Sequence, residues 1–251
     1  MKSWERALRK FLDEWEGRPE VIGALVTGSF AAGTATKYSD IDIHIVLSDK
    51  VTWRERGNRV VDGYLIEYFA NPVRQIMKYF ENDFRIGRHT DARMFVIGKI
   101  IFDKTGAVAR LRECARRDLK RPFAKPAKTW VETAKYELWD GLDNLKELGH
   151  SRSRNFSLMY NWQMMRTVAL YARFLRIEMP PAARLLKYFS DRKFREKYEM
   201  TIFPDRKFIS LAKRCLESPA FPGIEKLTGH VLQKMGGFEI NGWKLKTPLD
   251  I

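Results

Sequence analysis

Thr27-Gly28-Ser29-Phe30-Ala31-Ala32-Gly33-Thr34, followed after four residues by Ser39-Asp40-Ile41-Asp42-Ile43-His44-Ile45-Val46, is the stretch on which the fold turns. The apolar run Val21–Val26 before it reads as a short buried strand that ends at the Gly-Ser turn. Phe30 to Ala35 fits a short helix. From Asp40 the pattern alternates strictly, with Ile41, Ile43 and Ile45 on one face and Asp40, Asp42 and His44 on the other, which predicts a half-buried strand with an acidic face. Gly28 lets the backbone approach a ligand closely, and the amides after Ser29, with the Ser29 hydroxyl, can receive phosphate oxygens. Asp40 and Asp42, two apart on a strand and roughly 7 Å apart at Cα, project from one face and can share hard cations.

Working outward, Asp62-Gly63 separates two β-forming runs and predicts a two-residue hairpin, which puts Glu67 inside a strand with Leu65 and Phe69 on its face. A glutamate in so apolar a strand is costly to bury unless paired or coordinated, so Glu67 is the candidate third carboxylate of a two-metal site. Upstream, Trp4, Ala7, Leu8, Phe11, Leu12 and Trp15 recur at helical spacing. Downstream, Asn71-Pro72 reads as the cap and first turn of a helix to about Asn82. A helix over Asp91 to Lys99, a strand near Ile100 to Phe102 and a helix to about Leu119 follow.

The proline- and charge-rich stretch Lys120 to Pro126 has the character of a connection. Beyond it the patterns are helical: Thr129 to Leu148, Asn155 to Arg176, Ala182 to Phe189, Arg192 to Tyr198 and Phe208 to Leu216. The expected fold class is α+β, with a small mixed sheet in a first domain over residues 1–120 and an α-helical bundle over 121–251.

Of 251 residues, 46 are Lys or Arg and 31 Asp or Glu, a formal charge of +15, and 45% are hydrophobic, enough for a packed core. Up to Thr105 there are 17 basic and 15 acidic residues; the rest of the chain holds 29 and 16, net +13. Such a field favours polyanions, phosphorylated molecules and RNA among them, over cations. No apolar run approaches the roughly 20 residues that cross a bilayer, and the N-terminus does not read as a signal peptide. A cytoplasmic protein without membrane partners is expected. Cys114 and Cys215 stand apart, with no metal-ligand spacing, and read as packing residues.

Gly28-Ser29-Phe30-Ala31-Ala32-Gly33-Thr34 with Ser39-Asp40-Ile41-Asp42, and a later strand carboxylate, resembles the signature of the DNA polymerase β type nucleotidyltransferases. The two-part layout is similar to that of bacterial antibiotic nucleotidyltransferases such as the kanamycin enzymes. The resemblance implies transfer of a nucleoside monophosphate from a nucleoside triphosphate, ATP first among candidates, to an acceptor, with release of pyrophosphate. It implies that Asp40, Asp42 and Glu67 hold Mg²⁺, two ions in all, and that Gly28 and Ser29 bind the β- and γ-phosphates, with Ser39 as a turn residue and nucleotide contact. The third carboxylate of that family is usually aspartate, so Glu67 keeps the ligand on a longer arm.

In the kanamycin-type enzymes a carboxylate of the helical domain is the general base; here Glu137 and Asp140, three apart on one helical face, are the candidates. His44 is expected to hydrogen-bond a neighbouring carboxylate or backbone group. Arg152, Arg154 and Arg166, with Lys187, Arg192, Lys193 and Arg195, are candidates for the acceptor side, set against their ordinary place on exposed helix faces. The charge of the second half favours a neutral or anionic small-molecule acceptor over a polycationic one. The competing class is a non-catalytic RNA- or anion-binding regulatory protein that keeps the fold.

Overall fold

A computed structural model describes residues 2–247. Met1, on which the reading of the N-terminus partly falls, and residues 248–251 of the expected bundle lie outside them. The described residues up to Arg121, with Glu196–Met200, form one compact unit; Pro122–Arg195 and the described residues from Thr201 on form another.

The first unit opens with α1 (Ser3–Glu16), whose apolar stripe Ala7, Leu8, Phe11, Leu12 and Trp15 is wholly buried. Then come β1 (Val21–Val26), α2 (Gly28–Ala32), β2 (Ile41–Leu47), β3 (Glu55–Val61), β4 (Tyr64–Pro72), α3 (Val73–Arg85), α4 (Thr90–Ile97), β5 (Lys99–Asp103) and α5 (Ala107–Asp118). The sheet has the order β3-β4-β2-β1-β5. β2 and β4 run parallel, and every other neighbouring pair is antiparallel. The two-residue hairpin forms at Asp62 and Gly63, both with positive φ (48° and 80°) as its geometry requires.

Three local expectations give way to tertiary pairing. The helix after the Gly-Ser turn stops at Ala32, because Gly33 takes the left-handed conformation (φ 65°) and closes it. Asn71-Pro72 does not start a helix: β4 continues until Pro72 faces Leu47, and α3 begins one residue later. β2 is not half-exposed beyond its first turnings, since both faces of the sheet are covered. α1 packs with Ile41, Ile43 and Ile45 on one side, and Ile76, Phe80, Phe95, Val108 and Leu111 pack with Leu25 and Val46 on the other. His44 therefore lies inside the core rather than on a wet acidic face.

The second unit contains α6 (Lys128–His150), α7 (Phe156–Phe174), a 3₁₀ turn (Ala182–Arg184), α8 (Leu185–Ser190), the first part of α9 (Arg192–Lys197), α10 (Arg206–Glu217) and α11 (Phe221–Lys234). α11 is absent from the sequence reading: Pro222, Gly223 and Gly229 dilute its apolar pattern. Ile224, Leu227 and Val231 are nonetheless buried at helical spacing, and Thr228 Oγ1 meets Thr167 Oγ1 at 3.2 Å. Asp205 ties the bundle together. It caps α10 by accepting from the Phe208 amide (2.9 Å), and it accepts from Tyr171 Oη and His230 Nε2, each at 2.7 Å.

Burial alone would raise the Asp205 pKa, but the bonds from Phe208, Tyr171 and His230 outweigh it and hold the carboxyl down to about 2. A depressed folded-state pKa stabilises the fold above the unfolded value and is lost as pH falls through the folded one. Asp205→Asn is therefore expected to cost about 2 kcal/mol at neutral pH, a deficit in urea unfolding that closes between about pH 4 and about pH 2. Two helix glycines should respond oppositely to alanine. A Cβ on exposed Gly229 meets nothing within 4 Å, so Gly229→Ala should stabilise by about 0.5–1 kcal/mol. A Cβ on Gly141 would come within 2.0 Å of Oε1 of the fully buried Gln163, whose amide donates to Leu138 O, so Gly141→Ala should lower the melting temperature.

Candidate active site

The backbone joins the two halves of the motif before any side chain does. Thr27, fully buried at the end of β1, donates its N–H to Asp42 O at 2.8 Å. The next residue, Gly28, turns the chain with φ 61°, and a Cβ there would lie 1.9 Å from Asp42 Oδ2. Only glycine satisfies both the conformation and the close approach. Ser29 lies in the first turn of α2, and its carbonyl accepts from the Thr34 amide at 2.9 Å. Ser39 closes the following turn, its Oγ accepting from the Thr36 N–H at 2.9 Å and its own N–H donating to Thr36 O at 3.1 Å. That turn delivers Asp40 just ahead of β2.

Parallel pairing sets Asp42 opposite Glu67. Cross-strand partners share a face, so the carboxylates of Asp40, Asp42 and Glu67 converge, with one ligand oxygen from each within 4.8 Å of the others. Burial, and then repulsion from Asp40 and Glu67, push the Asp42 carboxyl up to about 6, against a smaller lowering by its backbone hydrogen bond. Three hard oxygen donors at this spacing, beside a backbone kept bare by Gly28, fit a divalent cation such as Mg²⁺ or Mn²⁺.

His44 takes no part in this cluster. Its ring stacks on Phe69 (5.2 Å) and meets Phe95 edge-on (5.1 Å), and Nε2 is buried without a hydrogen-bond partner, which corrects the expectation of a carboxylate or backbone bond through that nitrogen. Burial pushes its pKa down to about 4, so it is neutral at physiological pH. Glu137 and Asp140 lie in the second unit and are separately engaged. Glu137 Oε2 accepts from Arg166 Nε at 2.8 Å and also from Nη2, while Asp140 accepts from Asn144 Nδ2 at 3.1 Å. Arg195 is buried and donates to Tyr188 O at 2.5 Å.

Two contributions escaped the sequence reading. Arg56 Nη2 sits 2.5 Å from Glu67 Oε1. The hairpin carries that signal: counting back from Asp62-Gly63 puts Asn58 opposite Glu67 and Arg56 opposite Phe69, one diagonal step away. The second comes from Glu196–Met200, which belongs to the first unit. Tyr198 Oη meets Thr34 Oγ1 at 2.7 Å, Lys197 Nζ donates to Gly33 O at 3.2 Å, and Arg93 donates to the carbonyls of Tyr198 (2.8 Å) and Glu199 (2.6 Å). No local pattern announces contacts across more than a hundred residues.

Residues 6–97 match the family model described as the nucleotidyltransferase domain. That match lies within the first unit and supports nucleotidyl transfer as the general activity. Among curated proteins no match is found. A solved structure similar to this chain is a nucleotidyltransferase-like protein from Exiguobacterium sibiricum, 11% identical, covering 92% of this chain and 75% of that one, with a TM-score of 0.46. No helix among the described residues is long and apolar enough to cross a membrane.

The raised Asp42 pKa makes the metal-free site a source of instability at neutral pH. A carboxylate whose folded pKa lies above its unfolded one loses stabilisation as pH rises through that interval. In EDTA near neutrality, Asp42→Asn is expected to unfold at higher urea than the wild type, by about 1–3 kcal/mol. The gain should vanish on acidification from about 6 to below the unfolded value near 3.8. Equal stabilities across that range would refute the raised Asp42 pKa.

Proposed function

We propose that this protein is a Mg²⁺-dependent nucleotidyltransferase that moves a nucleoside monophosphate, AMP from ATP first among candidates, to an acceptor and releases pyrophosphate. The observation that carries the reading is the convergence of Asp40, Asp42 and Glu67 within 4.8 Å beside the Gly28 turn. Asp40, just ahead of β2, Asp42, near its start, and Glu67, from the neighbouring strand, would hold the divalent ions. Such ions, when bound, supply charge neutralisation on the triphosphate and a lowered pKa for the acceptor hydroxyl.

The chain's own work is positioning. Gly28 keeps the space beside Asp42 open, and the Ser29 hydroxyl, with the amides that open α2, donates to phosphate oxygens. Ser39 orders the turn into Asp40, and its hydroxyl proton is available to the nucleotide. Residues 1–120 would be the catalytic domain and the helical bundle over 121–251 the acceptor-binding one. The net +13 of the chain after Thr105 favours a neutral or anionic acceptor and disfavours a polycationic one such as an aminoglycoside. The same charge is the observation behind the other reading, an RNA- or anion-binding protein without turnover; the intact acidic trio speaks for the enzyme. A cytoplasmic setting, with its Mg²⁺ and nucleoside triphosphates, suits this activity.

Incubation with α-labelled nucleoside triphosphates, Mg²⁺ and an acceptor library should yield labelled product with pyrophosphate. Asp40→Asn and Asp42→Asn should each lower the rate more than about a hundredfold while remaining folded. Turnover unchanged in Asp42→Asn would sink the proposal. Salt-sensitive RNA binding that persists in both variants, with no triphosphate consumed by the wild type, would favour the regulatory reading.

A further inference from the structure

We propose that Arg56 is a displaceable counter-ion of the acidic trio: its guanidinium holds Glu67 in the metal-free protein, and a divalent ion must take that carboxylate from it. The inference rests on the reading of Asp40, Asp42 and Glu67 as metal ligands. Arg56 Nη2 lies 2.5 Å from Glu67 Oε1, and its guanidinium carbon lies 4.9 Å from the centre of the Phe69 ring, a cation–π contact that steadies it on the strand neighbouring Glu67. Among the described residues no lysine or arginine pairs with Asp40 or Asp42, so Arg56 is the one cation bonded to the cluster.

The pair is asymmetric in a way that suits exchange. The Glu67 side chain is 19% exposed and fixed by its place in β4, whereas that of Arg56 is 69% exposed on the edge strand. An ion pair with so exposed a partner contributes little to stability, and the arginine is free to leave when a stronger ligand for the carboxylate arrives. A divalent ion and a guanidinium on the same carboxylate repel one another. At roughly 6 Å in a water-like dielectric the mutual penalty is about tenfold in affinity, and salt screens it. Arg56 thus balances part of the charge of the trio and sets how tightly metal binds. It is a positioning residue for Glu67, acting through that carboxylate rather than on substrate.

Direct titration with Mn²⁺, followed by the electron paramagnetic resonance of the free ion, tests this without any acceptor. Arg56→Gln should bind Mn²⁺ about five- to tenfold more tightly than the wild type at low ionic strength, with the gain falling below about twofold in roughly 0.5 M salt. Arg56→Lys, which keeps the charge, should stay within about threefold of the wild type. In a Glu67→Gln background, where the arginine has lost its anchor, adding Arg56→Gln should change affinity less than about twofold. Equal or weaker binding by Arg56→Gln, or a gain that survives in the Glu67→Gln background, overturns the counter-ion role while leaving the metal site standing. A folded wild type that binds no Mn²⁺ at millimolar concentration overturns the metal reading and this inference with it.

Discussion

The parallel pairing of β2 with β4 brings Glu67 level with Asp42, and the geometry of the site follows from it. In that register the two carboxylates emerge from the same face of neighbouring strands, and Asp40, two residues earlier, completes the cluster within 4.8 Å. A slip of one residue would send Glu67 to the opposite face, into the layer where Ile66 and Ala70 pack with the stripe of α1. The apolar contacts of Ile41, Ile43, Ile45 and Ile66 therefore hold the acidic cluster in place from the far side of the sheet.

That arrangement loads the fold with charge that the Arg56–Glu67 pair balances only in part. The raised pKa of Asp42 measures the load, because burial and two neighbouring carboxylates all oppose its ionised form. The surrounding core supplies what rigidity the site needs: α1 seals one face of the sheet, and α3, α4 and α5 seal the other. His44 shows how abruptly the environment changes along β2. Two residues beyond Asp42, the same face is aromatic and dry enough to keep an imidazole neutral. The polar, convergent cluster thus sits at one end of an otherwise apolar strand, where burial and like charge together perturb a carboxyl.

Much of this was legible before any coordinates. The strands over Val21–Val26 and Ile41–Leu47 and the hairpin at Asp62-Gly63 follow from short-range rules of alternation and turn chemistry, and the cost of a lone buried acid singles out Glu67, while the pairing that brings it to Asp42 is long-range. What eluded the sequence was set by partners far away. β4 outran its local cap signal at Asn71-Pro72 because β2 offered pairing as far as Leu47. α11 formed despite Gly223 and Gly229 because Ile224, Leu227 and Val231 had a core to enter. Tyr198 and Thr34 meet across 164 positions, which no local window spans. His44 was misjudged because alternation identifies a face but not what covers it.

Glutamate at position 67, where the related family usually has aspartate, has a physical rationale in the strand geometry. Its extra methylene extends the carboxylate from a neighbouring strand towards Asp42 of β2 and Asp40 just ahead of it. The same length puts Oε1 within 2.5 Å of Arg56, which stands one diagonal step along β3 rather than directly opposite. An aspartate would draw the carboxylate back towards its own backbone and away from that diagonal partner. The longer arm therefore lets one side chain answer to two claims, the acidic cluster on one side and the guanidinium on the other. Phe69 makes the second claim specific, since its ring underlies the guanidinium and is the cross-strand partner of Arg56. Glu67 and Arg56 thus belong to neighbouring pairs on one face of a single hairpin.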